Sequence, residues 1–208
     1  MEALLLASRR VRKPGVVQLA PATFPLSAGV VASDLFSASA AEAVTLSVLN
    51  GSVRMVNSLG QIPPSLIPGN GDDFAISADV NLTGTGVYVL MGNLVDGAGS
   101  GSFWLSLNNT YQVASQISLD GYDANGAIQR FRFGSGKLPT GSWTTIKLQR
   151  VSGVLSFYLN GVQVGASQSM PNGFRNNAML NPLMIGSSAD NAYKLAGQVR
   201  NLIYTVGK

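Results

Sequence analysis

The chain has 208 residues, of which 46% are hydrophobic and only 12% charged, about half the ~25% charge content usual in soluble domains. It has no cysteine and no histidine, which excludes disulfides, thiolate nucleophiles, Cys/His zinc centres and a Ser-His-Asp triad. The formal net charge of +4 is local: Arg9, Arg10, Arg12 and Lys13 carry most of it, and the remainder is nearly neutral.

Residues 1–41 differ from the rest. Leu4, Leu5 and Leu6 precede the basic cluster, Pro14, Pro21 and Pro25 follow it, and a run of small residues closes the segment. Such a segment cannot build a core of its own. The expectation is an extended arm that anchors on a partner or scaffold through Leu4, Leu5, Leu6, Arg9, Arg10, Arg12 and Lys13; the alternative is a tail packed on its own domain. No aromatic residue is interleaved with the basic cluster to stack bases, so nucleic acid is not expected as a partner. No apolar run reaches the length of a transmembrane helix, and no membrane association is expected. The charges follow the short apolar run instead of preceding a longer one, unlike a secretory signal.

From Val44 onward the period is two. Val44, Leu46 and Val48 alternate with Thr45 and Ser47, and Asn50-Gly51 turns the chain into a second strand from Val53. Residues 61–71 hold three prolines and two glycines and must be a loop. Phe74, Ile76, Ala78 and Val80 form the next alternating set, and residues 87–92 are apolar. Phe103, Leu105 and Leu107 alternate with Trp104 and Ser106, and Asn108-Asn109 is expected to turn. A strand is expected from Tyr111 to Ile117, with Asp120-Gly121 and Asn125-Gly126 as loop punctuation. In residues 128–133, Arg130 and Arg132 share one face and Phe131 and Phe133 the other.

Residues 141–165 carry the plainest pattern. Ile146, Leu148 and Arg150 point one way, and Thr145, Lys147, Gln149 and Val151 the other. Ser152-Gly153 turns, Leu155, Phe157 and Leu159 alternate with Ser156 and Tyr158, and Asn160-Gly161 fits a type I′ hairpin. Trp143, which begins this unit, is expected in the core. Short strands at 182–186 and 196–206 finish the chain. About twelve strands at roughly 8–12-residue spacing predict an all-β sandwich over residues 42–208.

The order Trp143-x-x-Ile146-x-Leu148-x-Arg150, Leu155-x-Phe157-Tyr158-Leu159-Asn160-Gly161, Pro182-Leu183-Met184-Ile185-Gly186 and Leu195-x-Gly197-x-Val199-x-Asn201-Leu202-x-Tyr204 resembles the concanavalin A-like lectin/glucanase superfamily in its laminin-G-like branch. The resemblance implies an all-β jelly-roll β-sandwich. The low charge, the missing cysteines and the separate arm also resemble laminin-G-like domains of bacteriophage virion proteins. That likeness implies a non-enzymatic structural protein, a head decoration, cement or fibre component. Such a protein would be made in the host cytoplasm and placed on the virion surface by its arm. Capsid or tail scaffold proteins would then be its partners, and a homo-oligomer, a trimer, its expected state. The alternative is a lectin-like module that recognises host surface glycans.

Glucanases of that superfamily need paired carboxylates across the sugar. Glu2 and Glu42 are the only glutamates and the aspartates are scattered, so no catalysis is expected. Asp120, Asp123 and Asn125 are the candidate calcium ligands, although Asp and Asn beside Gly also serve any tight turn; no other cofactor is expected. Carbohydrate binding needs an exposed ring with planar amide partners. Trp104, Tyr111 and Tyr122 are the candidate rings, with Asn108, Asn109 and Gln112 as amides.

Overall fold

The computed structural model describes residues 16–18, 45–49, 52–56, 67–95, 100–111, 114–175, 181–190 and 192–207, and these form two antiparallel sheets with no helix among them. The strands are β1 (Val16–Gln18), β2 (Thr45–Leu49), β3 (Ser52–Val56), β4 (Phe74–Leu82), β5 (Tyr88–Gly92), β6 (Phe103–Asn109), β7 (Ser115–Tyr122), β8 (Ile128–Phe133), β9 (Thr144–Val151), β10 (Val154–Leu159), β11 (Val162–Gln163), β12 (Gln168–Ser169), β13 (Leu183–Ile185) and β14 (Gly197–Val206). One sheet runs β1-β14-β4-β9-β10-β11, with β12 also on β10; the other runs β2-β3-β13-β5-β6-β7-β8. The jelly-roll sandwich expected from the sequence is therefore present. Val16–Gln18 lies within the segment read as an arm, yet it pairs along β14 of its own domain. The anchoring candidates Leu4, Leu5, Leu6, Arg9, Arg10, Arg12 and Lys13 lie outside the described residues.

The core sits between the sheets and follows the alternation. β4 buries every second residue from Phe74 to Leu82, and β9 buries Ile146, Leu148 and Arg150 while Thr145, Lys147 and Val151 stay out. Facing them, Phe103, Leu105, Leu107, Ile117, Leu119, Phe131 and Phe133 fill the second inner face. Each fully buried aliphatic or aromatic side chain contributes roughly 1.5–3 kcal/mol by leaving water. Both turns predicted within residues 141–165 have the required backbone, Ser152 and Gly153 at φ 49° and 78°, Asn160 and Gly161 at φ 47° and 81°, whereas the predicted turn at Asn50-Gly51 lies outside the described residues.

Three expectations fail, each for a physical reason. Asp120-Gly121 is not a turn but lies inside β7, which starts at Ser115 and runs on to Tyr122. The ring of Phe174 occupies the space beside Gly121, where a Cβ would stand 2.3 Å from it, so the glycine answers to packing. Phe174 itself stacks on Phe103 with ring centroids 5.0 Å apart. Asn108-Asn109 ends β6, with Asn108 at φ 55° and its Oδ1 accepting the Leu138 N–H at 2.7 Å. Trp143 is not core. It is half-buried, with the Arg200 guanidinium 4.1 Å above its ring. The residue one step before inward-facing Thr144 must face outward.

Candidate functional site

The outer face of the β5-β6-β7-β8 sheet carries a depression of about 560 Å³ lined by Trp104, Tyr111, Asp120, Arg130 and Tyr193 with Val87, Val89, Ser106, Asn109 and Thr110. That volume falls within the roughly 300–1,000 Å³ of small-ligand sites. Strand alternation builds it. Phe103, Leu105, Leu107 and Leu119 take the core, so Trp104, Ser106, Ser118 and Asp120 are left on the outside. A bulge in β5 between Val89 and Met91 restores the phase that sets Gly92 opposite Trp104. A Cβ at Gly92 would stand 2.5 Å from the Trp104 Cβ, so only glycine lets β5 approach β6 this closely at the root of the Trp104 side chain.

The floor is a buried polar network. The Ser106 and Ser118 hydroxyls are 2.6 Å apart, and the Asn109 amide donates to both at 3.1 and 2.8 Å. Asn109 Oδ1 in turn accepts the Tyr111 N–H at 2.7 Å, which fixes the start of the segment carrying the exposed ring. Satisfied networks of this kind rigidify what stands on them. Trp104 is held on two sides. Its indole N–H donates to Asp120 Oδ2 at 3.1 Å, and Tyr193 meets it edge-on at 5.8 Å between centroids. Asp120 Oδ1 accepts from Arg132 at 2.5 Å in a mostly buried ion pair. Arg130, by contrast, extends over the Tyr111 ring at 5.5 Å.

Two of the three ring candidates, Trp104 and Tyr111, thus line one depression. Tyr122 does not line it; its ring is covered by Arg175 at 4.3 Å. Asn109 belongs to the floor, Asn108 is spent on the backbone, and Gln112 lies outside the described residues. Of the calcium candidates, Asp120 has both oxygens engaged by Trp104 and Arg132. Asp123 Oδ1 accepts the N–H groups of Asn125 and Ala127 at 2.9 Å each, and the Asn125 side chain is exposed. Tyr193 had no sequence signal, because it reaches the site from the loop between β13 and β14.

A second polar cluster lies on the outer face of the other sheet. Asp79 accepts the Thr145 hydroxyl at 2.6 Å, the Asn201 amide at 2.8 Å and Arg200 Nε at 3.2 Å. A bulge in β14 between Arg200 and Ile203 brings Arg200 and Asn201 to one carboxylate while Leu202 stays in the core. The Thr145 hydrogen bond is the main reason the Asp79 carboxyl is held below its ordinary range. Burial opposes it, and Asn201 and Arg200 add to the lowering.

Residues 56–203 match the family model of the concanavalin A-like lectin/glucanases superfamily. The chain belongs to this superfamily. Comparison with curated protein sequences returns no match. Among solved structures, the superfamily domain resembles domain 4 of a GH43 extracellular arabinanase from Geobacillus stearothermophilus, solved with arabinotriose. That match has 18% identity and TM-score 0.51, and covers 92% of this chain and 82% of that one. It also resembles the CBM40 of the Ruminococcus gnavus IT-sialidase bound to α2,3 sialyllactose, at 13% identity and TM-score 0.52, over 66% of this chain and 76% of that one. The binding domain of Paraclostridial Mosquitocidal Protein 1 matches at 16% identity and TM-score 0.52, over 92% of this chain and 49% of that one. At these identities the likeness is one of fold.

Proposed function

We propose that the protein is a non-catalytic, lectin-like module that holds a glycan in the depression on the outer face of the β5-β6-β7-β8 sheet. The observation that carries this reading is the fixed indole of Trp104 beside exposed Tyr111. Two aromatic surfaces stand over a satisfied polar floor, with an amide and a guanidinium within the same depression. Sugars present apolar C–H faces and a rim of hydroxyls, and that combination of ring and planar polar group matches them. Held rings lose little freedom when a ligand arrives. Among the described residues Asp120 is the one carboxylate lining the depression, whereas glycoside hydrolysis needs two. Two of the similar structures were solved with bound oligosaccharides, which agrees with this reading.

The test is a broad glycan array, with and without calcium, followed by calorimetric titration of any hit. Tyr111 is 60% exposed, so Tyr111→Ala should leave Tm unchanged and weaken binding about tenfold. A silent array in both conditions would overturn the proposal.

A second reading, a structural component of a phage particle, is the one implied by the resemblance of this low-charge chain with its distinct N-terminal segment to laminin-G-like virion domains. It predicts that removing residues 1–20 abolishes particle association without unfolding the sandwich. A truncated protein that still decorates particles would remove the arm from the account.

A further inference from the structure

We infer that the depression selects a carboxylate-bearing sugar, with Arg130 as the group that pairs with the acid; this rests on the glycan-binding reading above. The argument begins with where the charges are committed. Asp120 and Arg130 are direct cross-strand partners on β7 and β8, and opposite charges in that position ordinarily pair. Here they do not. Both Asp120 oxygens are engaged elsewhere, by the Trp104 indole N–H and by Arg132. Arg132 therefore neutralises the carboxylate lining the depression from one side and frees Arg130 from it.

Among the described residues no carboxylate lies within ion-pair distance of Arg130. Arg130 is exposed, and its guanidinium lies over the Tyr111 ring. Stacking of this kind leaves the edge of the guanidinium plane, with its fork of N–H donors, open to a bidentate acid. The depression thus holds one neutralised ion pair and one uncommitted cation, beside a ring that a pyranose can cover. A neutral sugar would use the rings and the floor but leave Arg130 to water. A uronic or sialic acid would use all three. An anionic group carrying no sugar would forgo the two rings.

The experiment is calorimetric titration of the full chain with matched probe pairs, sialyllactose against its methyl ester and trigalacturonate against its methyl ester. The acidic member of at least one pair should bind about tenfold tighter. That advantage should shrink as sodium chloride rises from about 50 to about 500 mM, because an exposed ion pair is screened. Arg130→Gln should bring the acidic member down to its neutral counterpart without changing Tm, and Arg130→Lys should recover part of the loss. Equal binding of both members, or an Arg130→Gln effect of the same size on both, would overturn acid selectivity while the glycan-binding reading stands. No binding to either member together with a silent array would overturn both.

Discussion

Two side chains show what alternation alone does and does not convey. Arg150 falls on the inner face of β9 by parity, and there it is 2% exposed. A buried cation survives only if its donors are met, and they are met by backbone. Nε donates to the Met170 carbonyl at 2.9 Å, Nη2 to Pro171 at 3.1 Å, and Nη1 to Asp72. The side chain ties the end of β9 to two loops far apart in sequence. Arg150→Leu should cost at least about 3 kcal/mol, since several carbonyls lose their donor at once. A chain of this size should then melt roughly 6–12 °C lower. A shift under about 2 °C would mean that water replaces the guanidinium at little cost. Asp79 gives a prediction in pH. Its carboxyl titrates below the ordinary value because the folded state donates to the charged form, above all through Thr145. A depressed folded value contributes stability that is complete above the unfolded value of about 3.9 and is lost as pH falls through the folded one. Tm should therefore fall below about pH 4, and Asp79→Asn should flatten that acid limb. An acid limb of unchanged steepness in the variant would assign the loss to other carboxylates.

At the scale of elements, strands and hairpins were legible because period-two patterning and Asn-Gly or Ser-Gly turns are local signals. What was not legible came from contacts made far along the chain. Gly121 reads as a turn residue until Phe174 is placed against it, and Trp143 reads as core until the outward parity of its position is fixed by Thr144. The candidate site divides the same way. Trp104 and Tyr111 stand out as rings off the core face, but the bulge in β5, the serine-asparagine floor and Tyr193 depend on register between strands. Gly92 is the sharpest case, since nothing local marks it as the seat of the indole. Gly92→Ala should displace Trp104, cost about 1–3 kcal/mol as overpacking does, alter the near-ultraviolet circular dichroism and weaken glycan binding together. Wild-type spectra and affinity in that variant would show that β5 yields and the indole does not.

For the whole molecule, the lining of the depression comes from residues 87–193, on the sheet that does not contain β1. β1 and the depression thus lie on opposite sheets. β1 covers part of the edge of β14, and an uncovered edge strand is an invitation to pair with another chain. Removing residues 1–41 should therefore leave the affinity for an array-identified glycan within about twofold, a difference of under ~0.5 kcal/mol. The same truncation should raise self-association with concentration, because the free N–H and C=O groups of β14 seek a strand. Light scattering coupled to gel filtration reads the second effect and calorimetry the first. Loss of glycan binding in a monodisperse truncated chain would place residues 1–41 in the recognition surface and require the depression to be redrawn. Unchanged affinity with new aggregation would instead confine β1 to edge protection and leave the opposite sheet to do the binding.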